Sequence, residues 1–209
     1  MARPQNIVCC RLARGVVSQL GVTRRAALLA VAAILAGSLG WQGSRALAAD
    51  EPETIEYRVK AAFLYKFAAY VEWPEASFTR PDTPVTIAVI GAEPIAVELV
   101  QAVTGRTVND RSLTIKRLKA GESLAGVHVL FVGRGESAGL LQLAQTAQPR
   151  SILTVTESEG ALTQGSVINF IVTDRRVRFE ISLDSAEKSR LRLSSRLLAV
   201  AQQVRTGTP

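Results

Sequence analysis

Hydrophobic positions recur at helical spacing over residues 56–73, and they fall on two faces. At 100° per residue Tyr57, Ala61, Leu64, Ala68 and Val71 share one stripe, while Phe63, Phe67 and Tyr70 gather on roughly the opposite side. Such a helix is either buried on both sides or offers one side to a partner. Pro74 ends it, and the polar stretch through Pro81, Asp82 and Pro84 reads as a loop.

Residues 85–90 then form a short, nearly continuous apolar run, which suits a strand covered on both faces. Pro94 sits well at the start of a helix over 95–103, and Gly105 supplies a stop. Residues 113–118 alternate apolar with basic, as an edge strand does. A second apolar strand is predicted over 127–132, a helix over 138–147 and a third central strand over 152–156. Residues 167–172 and 176–182 read as a hairpin turned at Asp174 and Arg175, with Val177, Phe179 and Ile181 alternating against Arg178 and Glu180. A last helix is expected from Asp184, capped by that side chain on the N–H of Glu187, with Ala186, Leu193, Leu197, Val200 and Val204 facing the core.

Strands alternating with helices and followed by a hairpin predict an α/β three-layer sandwich. Its sheet is mostly parallel, with an antiparallel C-terminal hairpin and a closing C-terminal helix.

Ahead of these elements, residues 1–48 hold six arginines and no acidic residue, then an apolar run over 26–39 and Ala46-Leu47-Ala48. This is the order of a cleaved secretory signal, and about fourteen apolar residues is short for a membrane span, which needs roughly 20. Arg24-Arg25 raises an export route for folded proteins, against which Ala27 stands in a place that normally holds a larger apolar residue. The expected organisation is a signal peptide over 1–48, a single domain over 49–209 and a periplasmic destination. Removing the signal leaves 19 basic against 18 acidic side chains, so the pI of 10.0 does not describe the mature chain. A near-neutral surface excludes a nucleic-acid footprint. Both cysteines, Cys9 and Cys10, fall in the signal, which excludes a thiol nucleophile, a Cys-ligated metal or a disulfide from the mature domain.

The most enzyme-like segment is Gly133-Arg134-Gly135-Glu136-Ser137-Ala138 between a strand and a helix, with Glu157 ending the next strand. It fits the G-x-G-x-x-A form that cradles a pyrophosphate, with the acidic residue toward a ribose. A tight βα turn uses glycine for the same backbone reason without any ligand. His128, the one histidine, lies inside an apolar strand and reads as a hydrogen-bonded structural imidazole, with pH sensing as the functional alternative. Glu157 and Glu159 read as solvated, Asn169 as a core-fixing amide, and Arg175, Arg176 and Arg178 as a wet hairpin face. No catalytic grouping, metal site or cofactor is expected. Phe63, Phe67, Tyr70 and Trp73 remain as candidate partner-binding residues, since aromatic side chains dominate interface centres; burial in the domain's own core is the competing reading.

Seven segments stand in an order that is recognisable. They are Tyr57-Arg58-Val59-Lys60-Ala61-Ala62-Phe63-Leu64-Tyr65-Lys66-Phe67, Val71-Glu72-Trp73-Pro74, Val127-His128-Val129-Leu130-Phe131-Val132, Ile152-Leu153-Thr154-Val155, Val167-Ile168-Asn169-Phe170, Val177-Arg178-Phe179-Glu180-Ile181 and Leu193-Ser194-Ser195-Arg196-Leu197-Leu198. Together they resemble the YfiR family of periplasmic proteins over roughly residues 55–205. The resemblance implies an α/β binding protein, not an enzyme. It docks on the periplasmic domain of an inner-membrane signalling protein, a diguanylate cyclase of YfiN type, and represses its cyclic di-GMP output. The disulfide cysteines of some members are absent: Val127 stands where a cysteine often occurs, and Glu159-Gly160-Ala161 replaces a loop that more often holds Gly-Phe. The redox control of those members is therefore not implied. Homodimerisation and control by a small ligand are left open, and the alternative remains a nucleotide- or solute-binding domain using the Gly133 to Ala138 turn.

Overall fold

A computed structural model describes residues 52–207, all within one compact unit, Asp50–Pro209. The expected signal segment lies outside the described residues. No helix among them is long and apolar enough to cross a membrane.

Helix α1 spans Pro52–Ala69 and is followed by the two-residue strand β1, Val71–Glu72. The main sheet then opens with β2, Val85–Ile90, and α2, Glu93–Val103. Next come β3, Thr107–Val108; β4, Arg111–Leu118; β5, Val129–Val132; α3, Leu140–Ala147; and β6, Leu153–Thr156. The hairpin is β7, Ile168–Thr173, and β8, Arg176–Ser182. The chain closes with α4, Leu183–Lys188; β9, Arg192–Leu193; α5, Ser195–Val200; and β10, Gln203–Arg205.

Eight strands form one sheet in the order β10-β8-β7-β6-β5-β2-β4-β3. Pairs from β4 through β7 are parallel, β7–β8 and β3–β4 antiparallel, and β10 runs parallel to β8. The strands expected to be covered on both faces are so. Ile87 and Val89 of β2 and Val129 and Phe131 of β5 face the core under α1 and α2; Ala88, Ile90, Leu130 and Val132 face a second core under α3. This is the three-layer α/β sandwich, with a mostly parallel sheet and an antiparallel hairpin. The hairpin turns where expected: Asp174 and Arg175 take φ 51° and 57°, two left-handed residues as a tight primed turn requires, without Asn-Gly.

Two local expectations are corrected. The first helix stops at Ala69 because Val71 and Glu72 leave it to pair antiparallel with Leu193 and Arg192. The closing C-terminal helix is present as two short ones, α4 and α5. Arg190 at φ 55° turns the chain out of α4, and β9 intervenes. Their caps are serines: Ser182 accepts from the N–H of Ser185, and Ser194 from that of Arg196. Asp184 instead accepts from the N–H of Gly207 at 2.6 Å.

Candidate functional site

The chain enters the sheet at β2, crosses to β4 on one side, then returns to build β5, β6 and β7 on the other. Such a reversal leaves a crevice beyond the carboxyl ends of the strands, where open α/β sheets receive ligands. A cavity of about 990 Å³ lies there. Its walls are the first turns of α1, the loops after β2, β5 and β6, and the tip of the β7–β8 hairpin.

The floor is ionic. Lys60 is fully buried and donates to Glu56, one turn earlier on α1, and to Glu157 at 2.5 Å, just after β6. Arg134 closes the group from the loop after β5, with guanidinium nitrogens 3.7 Å from Glu56 and 3.9 Å from Glu157. Side-chain exposure falls from 63% at Arg134 to 27% at Glu56 and 9% at Glu157, so the charges go from wet to dry within one cluster. A buried cationic group of this kind is stabilised by carboxylates in direct contact with it. Glu157 is therefore not the solvated loop residue that the sequence suggests. Lys60 went unread, although it shares the buried face of α1 with Ala61, Leu64, Phe67 and Ala68; a lysine in step with an apolar stripe was the available signal.

At the rim, Tyr57 donates to Glu53, which pushes the phenol up to about 12 through that hydrogen bond first, then through desolvation and the surrounding carboxylates. Arg175, Arg176 and Arg178 line the opposite wall with Val172 and Val177. The hairpin arginines are exposed as expected, but toward a cavity. The arrangement suits recognition of a small molecule with anionic and cationic groups.

The glycine-rich turn is built for packing. Gly133 has an ordinary extended backbone, φ −72°, but an added Cβ would collide with the carbonyl oxygen of Gly91, while the Gly133 N–H donates to the Ile90 carbonyl at 2.8 Å. Residues Arg134–Gly139 form a 3-10 turn rather than the start of an α-helix, and the Glu136 side chain packs over Gly91. The Arg134 N–H already meets a Glu157 carboxylate oxygen at 3.4 Å. The donor and the acidic residue that a dinucleotide would use are thus turned on each other.

The four aromatic candidates part company. Phe67 is 1% exposed and packs among Phe63, Phe170 and Phe179, with centroids 4.9 Å from Phe179. Phe63 is half-buried and touches both this cluster and the cavity. Tyr70 is 37% exposed at the end of α1. Trp73, half-buried, packs edge-on against Phe78 and His128, and its buried indole N–H has no protein acceptor among the described residues.

His128 is a structural imidazole. Its Nδ1 accepts from the Thr86 N–H at 3.1 Å and its Nε2 donates to the Ser77 carbonyl at 3.1 Å, a neutral tautomer fixed from both sides. Its ring stacks on Phe78 at 4.5 Å, and Arg111 lies over the other ring at 4.0 Å. Burial holds its pKa below the ordinary value, opposed by the Ser77 hydrogen bond and aided by Arg111 and Lys116. Asn169 fixes the core as expected, its side-chain oxygen accepting from the Thr156 hydroxyl at 2.8 Å and the Ser158 N–H at 3.1 Å.

A family model described as YfiR/HmsC-like matches residues 57–202, from the second turn of α1 to the end of α5. No curated protein sequence matches. Among solved structures, a conserved domain protein from Vibrio cholerae O1 biovar El Tor aligns with a TM-score of 0.45 and 11% identity, covering 57% of this chain. The chain spans about half of that neighbour's length, 54%. The family match takes in nearly all of the described fold, and the chain belongs to the YfiR/HmsC-like family.

Proposed function

We propose that this protein docks on the periplasmic domain of an inner-membrane diguanylate cyclase and represses it. The observation that carries this reading is the family match over residues 57–202. Repression follows if the protein binds the inactive state of its partner better than the active one. Turning an equilibrium from 99:1 to 1:99 takes roughly a 10⁴-fold difference in affinity between the two states. Tyr70 and Trp73, at the far end of α1 from the cavity, are the aromatic candidates with solvent access on that side of the fold. Phe67 and Phe63 act behind them as packing. The test is in-cell crosslinking of tagged protein with mass spectrometry of the membrane fraction. A diguanylate cyclase is recovered with wild type and lost with Tyr70→Ala; recovery of the protein alone rejects the reading.

The cavity supports a second, compatible reading, in which a small molecule controls release. An anionic group would meet Arg175, Arg176 and Arg178, and an apolar body would lie on Ile55, Val59 and Phe63. The 18-residue α1 joins the cavity to Tyr70 over about 27 Å, so a ligand that disturbs Glu56 and Lys60 acts on the helix that ends at the candidate docking residue. Calorimetry with amino acids and nucleotides, repeated with Arg176→Ala/Arg178→Ala, tests it. Heat that vanishes in the variant supports the site; heat unchanged by the variant rejects it.

A further inference from the structure

The sheet has one long unpaired edge among the described residues. Strand β4 pairs with β2 along its whole apolar length, Leu113 to Leu118 against Val85 to Ile90. On its other side β3 covers only Arg111 and Ser112. Over residues 113–118 the backbone donors and acceptors of alternate residues thus face outward with no strand beside them. At the opposite edge β10 is three residues long. Grooves of about 580 Å³ and 490 Å³ flank the free stretch. The first lies between the end of α2 and Ser112, Leu113, Thr114 and Ile115; the second lies beside Arg117, Leu118 and Lys119. Val100, 42% exposed, faces the first.

The charges choose among occupants. Lys116 and Lys119 are exposed and form no ion pair among the described residues; Arg117 is held by Glu93 at 2.8 Å, and Glu122 accepts from the Lys119 backbone N–H at 3.2 Å. Lysines on an edge oppose indiscriminate pairing. They also oppose a second copy. A twofold pairing centred on Thr114, Ile115 or Lys116 sets Arg117 against Arg111, Lys119 against Arg111, or Lys116 against itself, and like charges facing across strands are unfavourable. An extended segment with carboxylates at alternate positions meets the same backbone groups with attraction in place of repulsion. The start of this edge also shares a crevice with Trp73, through Phe78, Val108 and Arg111, so a chain laid along β4 would run toward the aromatic end of α1.

We propose that the edge of β4 over residues 113–118 takes up an extended, acidic segment of the partner protein as an added strand. This rests on the partner-binding reading above and names the surface and the chemistry of the occupant.

The probe is an alternating Thr-Glu decapeptide added to the exported protein, with amide exchange over residues 112–119 read by mass spectrometry. A Thr-Lys decapeptide and a backbone N-methylated Thr-Glu decapeptide are the controls. Exchange over 113–118 slows severalfold with the acidic peptide alone, and Lys116→Glu/Lys119→Glu weakens this about tenfold without lowering Tm, as reversal of two exposed charges does. No slowing up to about 5 mM, or equal slowing by all three peptides, overturns the proposal. In cells the two readings separate. If deletion of the protein leaves cyclic di-GMP unchanged, the regulator reading falls, and the partner segment proposed here falls with it. If deletion raises cyclic di-GMP and the double variant, exported at wild-type level, restores full repression, the edge proposal alone is overturned.

Discussion

Lys60 and Glu157 are 97 residues apart in sequence and meet at 2.5 Å, with the lysine wholly excluded from solvent. Their contact ties α1 to the end of β6 across the crevice that the sheet topology creates. A buried pair of this kind contributes little beyond what an apolar pair would, but breaking one partner is costly, because a dry charge is left alone.

Lys60→Met therefore destabilises the domain by about 3 kcal/mol, because the largely buried Glu157 loses its contact partner and keeps only the more distant, solvent-exposed Arg134 guanidinium. Urea unfolding measures it. Lys60→Met/Glu157→Leu recovers part of the loss, since neither charge is then stranded. A single-variant change below about 1 kcal/mol contradicts the buried-pair assignment.

His128 gives the fold a dependence on pH. Its folded-state pKa is held below the ordinary value of 6.5, mainly by burial, while the unfolded chain titrates near that value. Between the two the unfolded state binds more protons. The His128 contribution is thus fully present above about pH 6.5 and is lost as pH falls through the lower folded value. Urea midpoints of wild type fall from pH 7.5 to pH 5. His128→Asn, less stable at neutral pH, shows a shallower fall over that interval, and parallel slopes contradict the assignment.

The fold class was readable because the continuous apolar runs at 85–90, 127–132 and 152–156 end at glycines or polar turns, as strands covered on both faces do. The hairpin was readable from its alternation. The C-terminal helix reads as one piece because Leu191, Leu193 and Leu197 fit a helical stripe; it is present as two. The left-handed Arg190 and the pairing of Leu193 with Val71 depend on tertiary contacts that local spacing does not carry. The site was less legible. Lys60, Glu56, Glu157 and Arg134 come from three separate elements, and only the strand order brings them together.

Gly133→Ala tests why that glycine is there. The added methyl group meets the Gly91 carbonyl, a backbone group that cannot swing aside, so stability drops by about 2 kcal/mol as in other overpacked sites. Gly135→Ala, with open space around its Cα, changes stability by less than about 0.5 kcal/mol. Thermal unfolding of the two variants gives the comparison, and equal effects contradict the packing role.

Phe67→Ala opens a cavity among three phenylalanines and costs about 3–4 kcal/mol, whereas Tyr70→Ala costs less than about 1 kcal/mol. Chemical denaturation distinguishes them. Loss of partner binding in Tyr70→Ala is therefore a surface effect, while the same loss in Phe67→Ala would report only a damaged core.

We propose that this domain restrains a cyclic di-GMP signalling protein from the periplasmic side. Cellular cyclic di-GMP, measured by mass spectrometry in wild type, in a deletion strain and in the deletion strain carrying the exported protein, tests it most directly. The level rises several-fold on deletion and returns to wild type on complementation. An unchanged level in all three strains, under conditions where the protein is made and exported, contradicts it.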